Sequence, residues 1–301
     1  MSDALKTTLM GVTMKNPVIA ASGTFGFSHE YAELFDVSRL GGVSGKGLTL
    51  GGSRGNSGIR VWETPAGILN SIGLENPGVD RFVKEECGFM RSTGAAVIAN
   101  LGGHSEEDYL EGARRLNDAD MDILELNISC PNIASGGMAF GVDPDCAAWI
   151  TERVKRVTRF PLLVKLTPNA GDIVAVAKAV EQAGADGVSL VNTFLGMAVD
   201  VALKKPVFDN VYAGLSGPAI KPIALRMVHQ VSKAVRIPVV GMGGIAGIED
   251  ALSFLMAGAT AVQVGTITFA QPDAMLKIIE GLENYVGENG LENIGQIRGI
   301  L

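Results

Sequence analysis

Apolar residues in this chain come in short continuous runs, and between the runs they recur every three or four positions. The runs lie at residues 18–21, 42–45, 96–99, 123–126, 162–165, 188–191, 238–240 and 261–264. Short unbroken runs of this kind mark parallel strands covered by helices. The segments between them read as amphipathic helices. Residues 172–183 are the clearest: Ile173, Val176, Ala177 and Val180 share a face, Asp172 stands at the N-cap and Gly184 at the stop. Two phrases repeat. Arg159-Phe160-Pro161 before one strand returns as Arg236-Ile237-Pro238 before another, and Ala183-Gly184-Ala185 returns as Ala257-Gly258-Ala259 between helix and strand. Eight such units predict a (β/α)8 TIM barrel. An open doubly wound sheet is the weaker reading, because no GxGxxG follows an early strand. No Pro-, Gly- or Ser-rich linker interrupts the pattern, so residues 1–301 read as one domain, with residues 5–14 forming a small hairpin beneath the barrel.

Composition narrows the setting. Hydrophobic residues make up 47% of the 301, and the mean hydropathy is +0.26, which suits a large core. No apolar run approaches the roughly 20 residues of a membrane span. The opening Met1-Ser2-Asp3-Ala4-Leu5-Lys6 has neither the basic nor the apolar region of a signal peptide, so the chain reads as cytoplasmic. A net charge of −7 and a pI near 5.1 argue against a nucleic-acid surface. Cys87, Cys130 and Cys146 are too widely and irregularly spaced for a disulfide framework or a metal site. His29, His104 and His229 are scattered, and His229 reads as structural.

The candidate chemistry stands where the runs end, since barrel enzymes act at the C-terminal ends of their strands. Ser22 follows the first run, Lys46-Gly47 the second, Asn100 the third, and Asn127 with Cys130 the fourth; Lys165 closes the fifth and Asn192-Thr193 follow the sixth. Gly243-Gly244 follow the seventh and Gly265-Thr266 the eighth. Capping explains one polar strand end, but not eight. Glycine pairs after the last two strands suit a phosphate held by backbone N–H groups. Lys46 and Lys165 are either snorkelling cations, partners of a bound anion or ring, or amines for Schiff-base chemistry. The carboxamides of Asn70, Asn127, Asn132 and Asn192 offer donors and acceptors together, which suits a ring alternating N–H and C=O, such as a pyrimidine dione. Cys130 can be a buried small hydrophobe or a general base.

At this point the chain resembles the class 1 dihydroorotate dehydrogenases, specifically the B-type catalytic subunit. The resemblance runs from Lys15-Asn16-Pro17 to Gly265-Thr266. It rests on Ala21-Ser22-Gly23-Thr24-Phe25-Gly26, Leu69-Asn70-Ser71-Ile72-Gly73-Leu74, Asn127-Ile128-Ser129-Cys130-Pro131-Asn132 and the stretch from Gly214 to Pro222. It implies FMN across the barrel mouth. The phosphate would be held by Gly217, Gly243, Gly244, Gly265 and Thr266, and Ser22, Lys46, Gly47, Asn100, Asn127, Lys165 and Val191 would line the rest. It implies dihydroorotate held by Lys46, by Asn70, Ser71, Ile72, Gly73 and Leu74, and by Asn127, Asn192 and Thr193. Cys130 would take the proton from C5 where the membrane-bound class 2 enzymes place a serine, and Gly136-Gly137 would let its loop act as a lid. The run from Ser44 to Leu48 is more glycine-rich than the resemblance leads one to expect, which leaves open how rigidly Lys46 is held. The resemblance implies NAD as final acceptor. Because this chain has neither a dinucleotide fingerprint nor a cysteine cluster, the link to NAD falls to another polypeptide, expected to be a subunit carrying FAD and an iron–sulfur cluster bound to a homodimer of this chain. The rival readings are a stand-alone class 1 enzyme passing electrons to fumarate, a pyrimidine-reducing relative, and a non-redox barrel lyase or isomerase using Lys165 as a Schiff-base amine.

Overall fold

The computed structural model describes residues 3–129 and 140–301. Cys130, Pro131, Asn132 and the Gly136-Gly137 pair lie outside the described residues. Eight parallel strands close into a barrel: β1 (Val18–Ala20), β2 (Gly42–Ser44), β3 (Ala96–Leu101), β4 (Ile123–Asn127), β5 (Leu162–Lys165), β6 (Gly187–Leu190), β7 (Val239–Met242) and β8 (Ala261–Val264). Each pairs with its neighbours in sequence, and β8 closes on β1 through Val262↔Val18 and Val264↔Ala20. All eight match the predicted runs.

The helices Glu106–Leu116, Pro144–Lys155, Ile173–Gln182, Lys221–Ser232, Ile248–Met256 and Ala274–Glu288 cover the outside. Asp172 accepts from the N–H groups of Val174 and Ala175, and the buried residues of its helix are the four the period selected. The repeated phrases are structurally equivalent. Ala185 N–H donates to Val180 O at 3.1 Å and Ala259 N–H to Phe254 O at 3.0 Å, while Pro161 O and Pro238 O each accept from the preceding strand. The β1–β2 connection departs from the alternation. It has two short helical turns, His29–Ala32 and Val37–Arg39, and an aromatic cluster in which Phe25 stacks on Tyr31 at 4.0 Å and meets Phe35 at 6.2 Å. Phe25 belongs to the main core, and Tyr31 and Phe35 pack against it.

Two pieces sit outside the barrel wall. Strands Thr7–Leu9 and Val12–Met14 form the predicted hairpin, and Leu9 and Met14 pack on Ile19, Ile98, Ile123, Leu163 and Val240, closing the N-terminal end. At the other end lies an unforeseen antiparallel sheet of Phe194–Met197, Tyr212–Ser216, Gly67–Asn70 and Val61–Thr64, in that order. It joins the excursion after β2 to the one after β6, and so carries the loop at residues 70–74 over the mouth.

Candidate active site

Side chains alternate along a strand, so residues two apart point the same way. Counting back two positions from mouth residues on the even strands gives Ser44 below Lys46, Glu125 below Asn127, Ser189 below Val191 and Gln263 below Gly265. These four form one layer of the barrel interior, the kind that alternate strands build, and here every member is polar. Glu125 is 0% exposed. Its Oε2 accepts from Ser44 Oγ and Asn100 Nδ2, both at 2.7 Å, and its Oε1 from Ser189 Oγ and Gln263 Nε2, both at 2.8 Å. Burial pushes this carboxyl up, but the Lys165 charge and the donated hydrogen bonds outweigh it, and the group is held below the usual glutamate range. Beneath it the interior turns apolar, with Ile19, Ile98, Leu163 and Val240.

Above the layer the predicted residues come together. Asn100 is wholly buried, and Asn127 Nδ2 lies 3.5 Å from Asn100 Oδ1. Asn127 Oδ1 accepts from Ser129 Oγ, which in turn accepts from Asn192 Nδ2. The Asn127 carbonyl accepts from Tyr109 OH at 3.0 Å. Asn192 Oδ1 accepts from Thr193 N–H at 2.8 Å. Lys165, 5% exposed, ends β5 directly opposite Asn127 in register.

Gly47 is the common neighbour on the β2 side. A Cβ there would lie 3.0 Å from Asn100 Oδ1, 3.6 Å from Leu74 Cδ2 and 3.9 Å from Ser22 Oγ. The glycine-rich stretch around Lys46 is tied down: Gly45 N–H donates to Ile98 O, Lys46 N–H to Gly26 O and Leu48 N–H to Asn100 O, at 2.8–3.0 Å. The Lys46 side chain is half-buried and forms no ion pair among the described residues; burial pushes its ammonium below the ordinary lysine range.

The loop at residues 70–74 is fixed from several sides. Asn70 Nδ2 donates to Gly214 O at 3.1 Å, and a Cβ on Gly214 would meet Thr193 Oγ1 at 2.3 Å, so Asn70 and Thr193 flank one glycine. Ser71 Oγ accepts from Asn56 at 3.0 Å and Asn210 at 3.2 Å, which commits that hydroxyl to the loop's own framework. Asn76 Nδ2 donates to Leu74 O at 2.6 Å.

Three further loops converge after β6, β7 and β8. A Cβ on Gly244 (φ 77°) would lie 2.8 Å from Lys221 N and 2.9 Å from Gly217 O, and one on Gly217 (φ 102°) would lie 2.7 Å from Gly67 Cα and 3.5 Å from Thr266 Cγ2. Gly243 packs on Val191 and Ala224, and Gly265 on Ala21 and Thr24. Thr266 Oγ1 donates to Ser216 Oγ at 2.9 Å. The start of helix Lys221–Ser232 therefore abuts a glycine cradle, and helix N-termini and glycine backbones both favour an anion.

Sequence reasoning passed over Glu125, Ser44, Ser189 and Gln263. The signal was present, a carboxylate inside the otherwise apolar run Ile123-Leu124-Glu125-Leu126. Cys87 and Cys146 lie in outer helices, and burial raises both thiols. Among the described residues no group of three His, Cys, Asp or Glu could hold a metal ion, and no helix is long and apolar enough to cross a membrane.

A closed parallel barrel with a polar, glycine-cradled C-terminal mouth belongs to the (β/α)8 class whose chemistry sits at that end. Within that class the chain belongs to the dihydroorotate dehydrogenase family, whose model matches residues 4–286. A Petrotoga mobilis protein described as the catalytic subunit of dihydroorotate dehydrogenase B (NAD(+)) is 51% identical over 296 residues, 98% of this chain and 99% of its own. Proteins of the same description from Alkaliphilus metalliredigens and Desulforamulus reducens are 50% and 52% identical, covering 99% and 95% of this chain and 98% and 94% of theirs.

Proposed function

We propose that this chain is the catalytic subunit of a cytoplasmic, NAD-linked dihydroorotate dehydrogenase, acting as one FMN-binding domain that oxidises dihydroorotate to orotate in pyrimidine biosynthesis. The observation that carries the reading is the mouth itself: Asn100, Asn127 and Asn192 gathered in one hydrogen-bonded cluster, with Lys165 opposite Asn127, in a member of this family.

The residues present fit FMN. At Gly217 and Gly244 φ is positive and a Cβ would strike the backbone of Gly67 or of Lys221 and Gly217, so only glycine lets these loops close together beside a helix N-terminus, where bare backbone N–H groups suit a phosphate. Gly217, Gly243, Gly244, Gly265 and Thr266 would hold the phosphate. Ser22, Lys46, Gly47, Asn100, Asn127, Lys165 and Val191 would line the ring. When bound, FMN supplies the acceptor for the hydride that leaves C6 of dihydroorotate.

The chain's own residues do the rest. Cys130 takes the proton from C5, as a thiolate accepting it on Sγ. Lys46 neutralises the substrate carboxylate, a charge-assisted contact stronger than a neutral one. Asn127, Asn192, Thr193 and the loop Asn70, Ser71, Ile72, Gly73 and Leu74 fix the imide edge. Lys165 places a positive charge where negative charge accumulates on reduction.

NAD stands in the relatives' names, together with the word subunit. This chain has no dinucleotide fingerprint and three scattered cysteines. The link to NAD is then made by another polypeptide, one carrying FAD and an iron–sulfur cluster, docked on a homodimer to give a heterotetramer. Exposed Leu195, Met197 and Tyr212 on the antiparallel sheet offer apolar surface for a second chain. The reading is tested by anaerobic titration of the purified protein with dihydroorotate. Flavin absorbance should bleach, and acid should release a flavin that chromatographs as FMN; FAD, or no flavin after reconstitution, would sink it.

A further inference from the structure

A barrel interior is ordinarily filled with branched apolar side chains, and the layer formed by Ile19, Ile98, Leu163 and Val240 follows that rule. One layer higher, Glu125 breaks it. A buried carboxylate is costly unless paired and fully hydrogen-bonded. This one accepts four hydrogen bonds, from strands β2, β3, β6 and β8. That many strands do not converge on one side chain to stabilise a barrel that leucine would fill as well. The charge faces the mouth. Strands rise about 3.3 Å per residue, so the Glu125 and Asn127 Cα atoms lie roughly 7 Å apart along β4. Its strongest attractive partner is Lys165, and one of its four donors is the Asn100 carboxamide. Because Asn100 Nδ2 is committed downward, its Oδ1 is the end left for the mouth, beside Asn127 and Gly47.

We infer that Glu125 is a positioning residue for the redox reaction: a fixed buried anion that orients the Asn100 carboxamide and offsets the Lys165 ammonium, and thereby sets how strongly the site favours the reduced cofactor. The inference rests on the flavin reading of the mouth. The sign follows from the charges. Lys165 favours the negative charge a flavin gains on reduction, and Glu125 opposes it from below, in an interior where salt screens little.

Glu125→Gln removes the charge and keeps the shape. Among the described residues Gln263 Oε1 is buried and has no hydrogen-bond partner, so that amide can turn to accept from the new Gln side chain, and the variant's hydrogen bonds can be met. The midpoint potential of bound FMN is measured anaerobically against reference dyes in both proteins. Removing the anion should move it to a more positive value, equivalent to about tenfold tighter binding of the reduced relative to the oxidised flavin. Ser189→Ala, which deletes one hydrogen bond and keeps the charge, should shift it far less. A folded, FMN-loaded Glu125→Gln protein with the parental potential overturns the inference and leaves the dehydrogenase reading intact. Failure of the unaltered protein to take up FMN overturns the reading itself, and the role of Glu125 with it; where only Glu125→Gln fails to load, the infrared test on the holoenzyme decides. Should Glu125→Gln not fold, the unaltered holoenzyme labelled with 13C-glutamate reads the same group. Its reduced-minus-oxidised infrared spectrum should contain a shifted carboxylate band, and a spectrum without any glutamate band refutes the counter-charge.

Discussion

Burial pushes the Lys46 ammonium below the ordinary lysine range, Glu75 pulls it back up, and Arg60 adds to the depression. Folding thus loosens the hold on this proton. Between the lowered value and the unfolded value of 10.5 the unfolded chain binds more protons, so the stability of the ligand-free protein should rise with pH across that window. Orotate binding should run the other way, since it needs the ammonium, and weaken over the same window. Lys46→Met should abolish that pH dependence and cost about 1.5–3 kcal/mol of orotate binding, roughly 10- to 150-fold; titrating the flavin spectrum with orotate reads both. Cys130→Ser should bind orotate almost normally yet reduce its flavin far more slowly at neutral pH. In the parent, stopped-flow reduction should quicken as pH rises toward the ordinary thiol pKa of about 8.5. An unchanged rate in Cys130→Ser would remove the base. Cys87→Ala and Cys146→Ala should leave the rate intact. At this scale the sequence was legible at strand ends, where a polar residue after an apolar run stands out. Glu125 left a signal, a carboxylate inside an apolar run, but its role and those of Ser44, Ser189 and Gln263 acquire meaning only when strands far apart in sequence bring them together.

The glycine cradle makes a prediction for elements rather than single groups. Gly244→Ala would force a Cβ at φ 77° against the backbone of Lys221 and Gly217. It should cost about 1–3 kcal/mol of stability and loosen FMN by prying apart the loops after β6 and β7. Gly287→Ala, in the exposed final turn of helix Ala274–Glu288 with nothing within 4 Å, should instead stabilise by about 0.5–1 kcal/mol. Denaturant melts and flavin-release assays on the two variants separate local strain from a general intolerance of alanine. The barrel strands and helix Ile173–Gln182 were readable because hydrophobic period and capping residues are local signals. The antiparallel sheet over the mouth was not. Its strands are four or five residues long, mostly half-exposed, and paired across long sequence gaps such as Leu69↔Leu215. No local pattern encodes such a pairing.

For the whole molecule the route of the electrons is testable through the acceptor. With dihydroorotate as donor, the isolated chain should reduce NAD poorly, and adding a partner subunit that carries FAD and an iron–sulfur cluster should restore NAD reduction. Fumarate should be a poor acceptor throughout. Vigorous fumarate turnover by the chain alone, with no gain from the partner, would mark a stand-alone enzyme while leaving the dihydroorotate chemistry in place.

The N-terminal hairpin has a consequence for biosynthesis. Leu9 packs in one cluster with Ile19, Val240 and Ala261, so the cavity it seals does not exist until β8 is made, about 250 residues later. At translation speeds of roughly 5–20 residues per second, Leu9 and Met14 wait on the order of 10–50 s without their shelter. An apolar segment that emerges long before the strands that bury it is a natural place for a chaperone to hold the nascent chain.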